Sequence, residues 1–189
     1  MLSGDLAAHL SEALEIPTGT VKDVAKALRA GGLLSVKGRG PRSGARMTER
    51  DVVNWTLGLI VDKPHGADLA GVVQYCRDLH TADVMRFGLD DLEGFFSATP
   101  GLALELIIRE LRPGGRLATR TEPLNINAAI NTRGDSVITS FRPGDVPEKG
   151  VRVAMQTFGR ELDYTAPVNK SVSLNMPFFT GIADALGPP

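Results

Sequence analysis

The chain has 189 residues, enough for one sizeable domain or a small domain beside another. Hydrophobic residues make up 42% and charged residues 23%, with 21 Lys plus Arg against 22 Asp plus Glu, so the net charge is −1. That balance excludes a histone-like basic tail and an acidic solvating protein, and no apolar run reaches the ~18 residues of a membrane-spanning helix. Asp5, His9, Glu12 and Glu15 interrupt the first sixteen residues, so no secretion signal is expected there. Cys76 is the only cysteine, which rules out an intramolecular disulfide and makes a reducing, cytoplasmic location the expectation.

Leu2, Leu6, Leu10, Ala13 and Leu14 recur at helical spacing and predict an amphipathic helix over residues 3–15, with Ser3 as its N-cap. Ile16-Pro17 ends it, because the residue before a proline avoids the α region. A second helix is expected from Thr18 or Thr20. Thr20-x-x-Asp23 approximates a capping box, and Val21, Val24 and Leu28 form the apolar face. Gly31-Gly32 stops this helix. Residues 33–36 read as a short strand, 37–44 as a glycine-rich loop and 45–47 as a returning strand. Thr48 is expected to open a third helix, with Asp51 three positions on and Trp55 as a core anchor.

Residues 67–86 read as a long helix with Leu69, Val72, Val73, Cys76 and Leu79 on one side. A shorter helix is expected over 89–96, and Pro100-Gly101 sets off another over 102–111. From Leu117 the pattern changes to strand-like runs at 117–130, 136–141, 151–158 and 168–176, with turns at 132–135 and 142–145. Val151, Val153 and Met155 alternate with Arg152, Ala154 and Gln156, as a half-buried strand requires. Residues 178–186 close the chain as a helix. The expected class is α+β: a helical head over 1–62, then a helical middle and a C-terminal antiparallel β region within 63–189.

The charge is segregated. Residues 17–46 carry +6 and residues 62–105 carry −5. Clustered cations favour a polyanion through counterion release. The same charge also fits a solvated basic loop or a face for an acidic protein. Residues 5–17 and then 19–34 resemble the helix-turn-helix of bacterial winged-helix regulators, the GntR type among them. Thr20-Val21, Leu28 and Gly32-Leu33-Leu34 stand where that pattern has Thr-Val, an apolar residue and Gly-Leu-Leu before the wing. The resemblance covers residues 2–60 and departs from the family in showing no preceding first helix; residues 48–60 are expected to pack in its place.

The resemblance implies a winged helix-turn-helix over 1–62 that binds double-stranded DNA. Helix 18–30 would enter the major groove, and a wing over 37–46 would lie on the backbone or minor groove. The residue chemistry agrees. With Val21, Val24 and Leu28 inside, Thr20, Lys22, Asp23, Lys26 and Arg29 face outward or flank that face. Lys22 and Lys26 are one turn apart and suit phosphates or guanine edges. Thr18 and Thr20 sit where backbone N–H groups favour phosphate. Lys37, Arg39, Arg42 and Arg46 would line the wing.

Enzyme signals are weaker, and neither catalysis nor a cofactor is expected. The run Gly38 to Gly44 lacks the Gly-Lys-Ser/Thr ending of a P-loop. Cys76 and His80 have metal-ligand spacing, but no other cysteine exists and His9 and His65 are distant in sequence. Asp90-Asp91-x-Glu93 reads as a helix start and residues 112–116 as a turn. Three functions compete: a transcriptional regulator of bacterial or phage origin that forms a homodimer or higher oligomer, a phage DNA-packaging subunit of the small-terminase kind, and a module whose basic head binds an acidic protein.

Overall fold

The structure is a computed structural model that describes residues 1–36, 45–62, 68–87, 89–143, 153–159 and 171–188, with backbone alone for 86, 87, 90 and 91. The head contains α1 (Ser3–Ala13), α2 (Thr18–Ala30) and α3 (Glu49–Ile60). Then come α4 (Leu69–Arg77), β1 (Thr81–Phe87), a 3-10 turn (Asp90–Phe95) and α5 (Pro100–Leu111). Strands β2 (Leu124–Asn131), β3 (Ser136–Pro143), β4 (Val153–Gly159) and β5 (Ser171–Leu174) precede α6 (Met176–Leu186). The protein is α+β, as its sequence implies. No helix among the described residues is long and apolar enough to cross a membrane.

The strands form one antiparallel sheet in the order β1-β4-β3-β2-β5. One face is closed by Ile126, Ala128 and Ile130, by Val137, Thr139 and Phe141, and by Ala154, Gln156 and Phe158, all buried. The register explains this: Ile126, Phe141 and Ala154 lie abreast, and so do Ile130, Val137 and Phe158. Alternation in β4 is therefore present, with Ala154, Gln156 and Phe158 as its buried side, while Val153 and Met155 stay partly exposed. The amide of Gln156 is satisfied there. Its Nε2–H donates to Thr81 Oγ1 and Ser97 O, and its Oε1 accepts from Ser97 N–H. Helix α6 lies on β2 and α5, α5 meets α3, and α3 meets α2. The buried apolar residues, from Leu6 in α1 to Ala183 in α6, form one cluster.

Several local expectations change. Ser3 is the first residue of α1 rather than its cap, and the Asp5 carboxylate accepts from Leu2 N–H at 3.2 Å. Helix α2 starts at Thr18 behind Pro17, so Thr20 lies inside the first turn and does not cap it. Residues 33–36 form no strand; Leu34 is buried and Ser35 bonds to a side chain instead. Residues 45–47 form only a bridge, Arg46 with Leu2. The helix expected over 67–86 ends at Arg77, and Thr81–Phe87 is a strand. Pairing with β4 along the whole of β1 outweighs local helical periodicity. The middle of the chain thus supplies an edge strand of the sheet and is not purely helical. Residues 89–96 yield a 3-10 turn. Pro100 and Gly101 belong to the first turn of α5, capped by Thr99, because proline fits the start of a helix. The run 117–130 is strand only from Leu124, since residues 112–119 turn back on the end of α5. Of the turn expected at 142–145, Arg142 and Pro143 extend β3 and the rest lies outside the described residues.

Two expectations on α3 and α4 hold. Thr48 and Asp51 form a reciprocal cap, with Asp51 N–H donating to Thr48 Oγ1 at 3.2 Å and Thr48 N–H to the Asp51 carboxylate at 2.9 Å. Cys76 is fully buried in the core. Burial first, and then Asp135, push its thiol from 9.0 to about 12, against an opposing pull from Arg77. The thiol is therefore neutral and inert in the folded state. Ellman's reagent at pH 8 is expected to modify Cys76 only after denaturation; rapid labelling of the native protein contradicts this. The unfolded thiol ionises before the folded one. The stability this group contributes is thus complete below about pH 9 and is lost as the pH rises toward 12.

Candidate nucleic-acid interface

Helix α2 owes its position to its apolar stripe. Val21, Ala25 and Leu28 are buried, one turn apart along a 3.6-residue helix. Its start is fixed by the turn from α1. Ile16 N–H donates to Ser11 O at 3.1 Å, Ser11 Oγ donates to Ile16 O at 2.7 Å, and Ser11 Oγ meets Thr18 Oγ1 at 2.9 Å. Its end is a Schellman motif. Gly32, at φ +75°, donates to Arg29 O, and Leu33 donates to Leu28 O. Glycine is required at 32 by that left-handed conformation.

Helix α3 holds α2 from behind. Trp55, 1% exposed, donates from Nε1–H to Val21 O at 2.9 Å. A Cβ on Gly58 would lie 3.0 Å from Leu28 Cδ1 and Val24 Cγ1, so a bare backbone lets the two helices approach this closely. Arg29 is half-buried, and its guanidinium lies 5.8 Å above the Trp55 ring, a cation–π contact that occupies this cation inside the protein.

The far side of α2 is open. Thr18, Gly19, Thr20, Lys22, Asp23, Lys26, Ala27 and Ala30 are all exposed. Lys22 and Lys26 have no hydrogen-bond or ion-pair partner among the described residues.

Behind α2 the chain enters the basic segment from a fixed point and leaves it at another. At entry, Ser35 N–H and Oγ–H donate to the two carboxylate oxygens of Asp51, at 2.7 and 2.9 Å. At exit, Arg46 pairs antiparallel with Leu2, and Met47 N–H donates to Met1 O at 3.1 Å. Arg46 is exposed there. Thus Thr18, Thr20, Lys22 and Lys26 share one open helix, and Arg46 stands at the α1 end of the head. Lys37, Arg39 and Arg42 lie outside the described residues.

The role of Asp51 is not legible in its sequence position. The capping pattern marks it as a helix start, yet its carboxylate also receives Ser35 from sixteen residues away. Nothing local encodes that contact.

Elsewhere, the Cys76–His80 pair does not assemble, because α4 ends at Arg77, Cys76 is buried and His80 is exposed. Among the described residues no cluster of His, Cys, Asp or Glu suits a metal ion. No protein-family model, curated protein or solved structure matches the chain.

Proposed function

We propose that this protein is a DNA-binding regulator that lays α2 in the major groove and sets residues 37–46 against the backbone or the minor groove. The observation that carries the reading is the open face of α2, with Lys22 and Lys26 free of partners among the described residues and its opposite face locked to α3. A helix that reads a groove must be rigid behind and uncommitted in front. The Leu2–Arg46 bridge supports a wing, because it ties the exit of the basic segment to the residue that precedes α1. Helix α3 packs against α2, which supports the expectation that it stands in for the first helix the resemblance lacks. The reading includes a homo-oligomer, since two copies of α2 would engage successive major grooves.

Fluorescence anisotropy with duplexes from the protein's own upstream region and a scrambled duplex, across salt, tests this. Log affinity is expected to fall linearly with log salt, and the upstream duplex to bind more tightly. The variant Lys22→Ala/Lys26→Ala is expected to change sequence preference and to reduce the salt slope by about one for each phosphate that is no longer neutralised. Arg39→Ala and Arg42→Ala are expected to weaken all duplexes alike. Unchanged binding by all these variants rejects the interface. Equal binding of both duplexes by the native protein favours a packaging role, and no binding at low salt favours an acidic protein partner.

A further inference from the structure

Asp23 is an unexpected residue on a face offered to a polyanion. With Val21, Ala25 and Leu28 buried, the helical wheel places Gly19, Asp23, Lys26, Ala27 and Ala30 on the side directly opposite. Asp23 therefore stands at the middle of the open face, not at its margin. Its neighbours one turn away are Gly19 and Ala27, which have no side chain, or a single methyl, to keep a duplex at a distance. Lys26 follows at the next helical neighbour, yet no ion pair with it forms, and Asp23 has no partner among the described residues.

A carboxylate there opposes phosphate and lowers non-specific affinity. Its best partner in the major groove is cytosine N4, because adenine N6, the other donor there, lies between the acceptors adenine N7 and thymine O4, which repel a carboxylate. The exocyclic N4 amine of cytosine is a donor, and an ionised carboxylate is acceptor-only. On the proposed groove-reading function, we infer that Asp23 is a specificity determinant that accepts from cytosine N4, with Lys26 beside it on a guanine or a phosphate. The acid then works in two ways. It favours one C·G pair, and it penalises every site that presents an acceptor or a phosphate in that place.

Selection of bound duplexes from a randomised pool, with wild type and Asp23→Ala, tests the inference. Wild type is expected to enrich one C·G position and to prefer it about ten-fold over the other pairs in anisotropy titrations. Asp23→Ala is expected to lose that preference alone and to bind unselected duplexes several-fold more tightly. Replacing the enriched cytosine by N4-methylcytosine blocks the groove-facing N–H. It is expected to weaken wild type as much as the substitution does and to leave Asp23→Ala unaffected. Asp23 is exposed, so equal thermal midpoints are expected for the two proteins, separating specificity from folding. A cytosine preference retained by Asp23→Ala, or a selected site with no C·G position, overturns the inference while leaving DNA binding standing. Absence of salt-dependent binding by wild type overturns the DNA reading and the inference together.

Discussion

Arg77→Ala is expected to destabilise the fold by about 3–5 kcal/mol, because it removes one partner from a buried ion pair. The Arg77 side chain, 7% exposed, is ion-paired through Nη2 to Glu105 of α5, and its Nη1 donates to Asn54 Oδ1 of α3 at 2.6 Å. Asn54 in turn donates from Nδ2 to Leu33 O, just past the end of α2. Four segments therefore share one polar chain inside an apolar core. Truncation leaves the Glu105 carboxylate, 12% exposed, without its counter-charge, and Asn54 Oδ1 without its donor. Urea unfolding should show a lower midpoint with an unchanged slope. The double variant Arg77→Met/Glu105→Leu is expected to recover much of the loss, because apolar groups of similar size replace the pair without an orphaned charge. A single-variant loss below about 1 kcal/mol, on the scale of exposed pairs, contradicts this account. Gly101 belongs to the same site. A Cβ there would lie 3.0 Å from Arg77 Cζ, so α5 reaches the guanidinium only because its second residue is glycine.

Arg112 makes a second long-range tie. It donates to Gly187 O and Pro188 O and is ion-paired to Glu49 of α3. Residues 112–116 read as a turn from their Pro and Gly content, and the chain does turn there. The composition marks the turn but says nothing of the partner, because both ends of this clamp lie more than sixty residues away.

The same distinction separates what the sequence specifies locally from what it does not. Helices α1, α2, α3 and α5 were legible from apolar spacing, and the Thr48–Asp51 cap from two residue types at the right interval. The β2–β3 hairpin was legible from Thr-Arg-Gly-Asp, where Gly134 takes φ +71°. Strand β1 was not, because Leu79, following the apolar stripe of α4, extends a helical pattern beyond Arg77, where the helix ends. Only the approach of β4, some seventy residues later, decides the state of Thr81–Phe87. At the open face, lysine spacing pointed to Lys22 and Lys26. The half-burial of Arg29 needed the position of Trp55, which only tertiary packing supplies.

Trp55→Ala is the second large effect, at about 3–5 kcal/mol for truncating a fully buried aromatic. Its consequence for the interface is more specific than its cost. Trp55 is the only tryptophan, and it joins α3 to α2 through the bond to Val21 O and through the contact with Arg29. Its removal takes away the backing of α2 and releases Arg29 together. The variant is expected to unfold at a lower urea midpoint. Where it is still folded, it should bind duplexes with a weaker sequence preference, since a loosened helix no longer fixes Lys22 and Lys26 in one register. Trp55→Phe separates the two contributions. It keeps most of the volume but leaves Val21 O without the indole donor, and a smaller loss of about 1–3 kcal/mol is expected. Arg29→Ala completes the comparison. If Arg29 serves as a strut over the indole, its removal lowers stability slightly, by about 0.5–1 kcal/mol, and leaves the salt slope of DNA binding unchanged. A slope reduced by about one would show that Arg29 leaves the ring to neutralise a phosphate. A Trp55→Ala protein with native stability would mean that α2 is held by its apolar stripe alone.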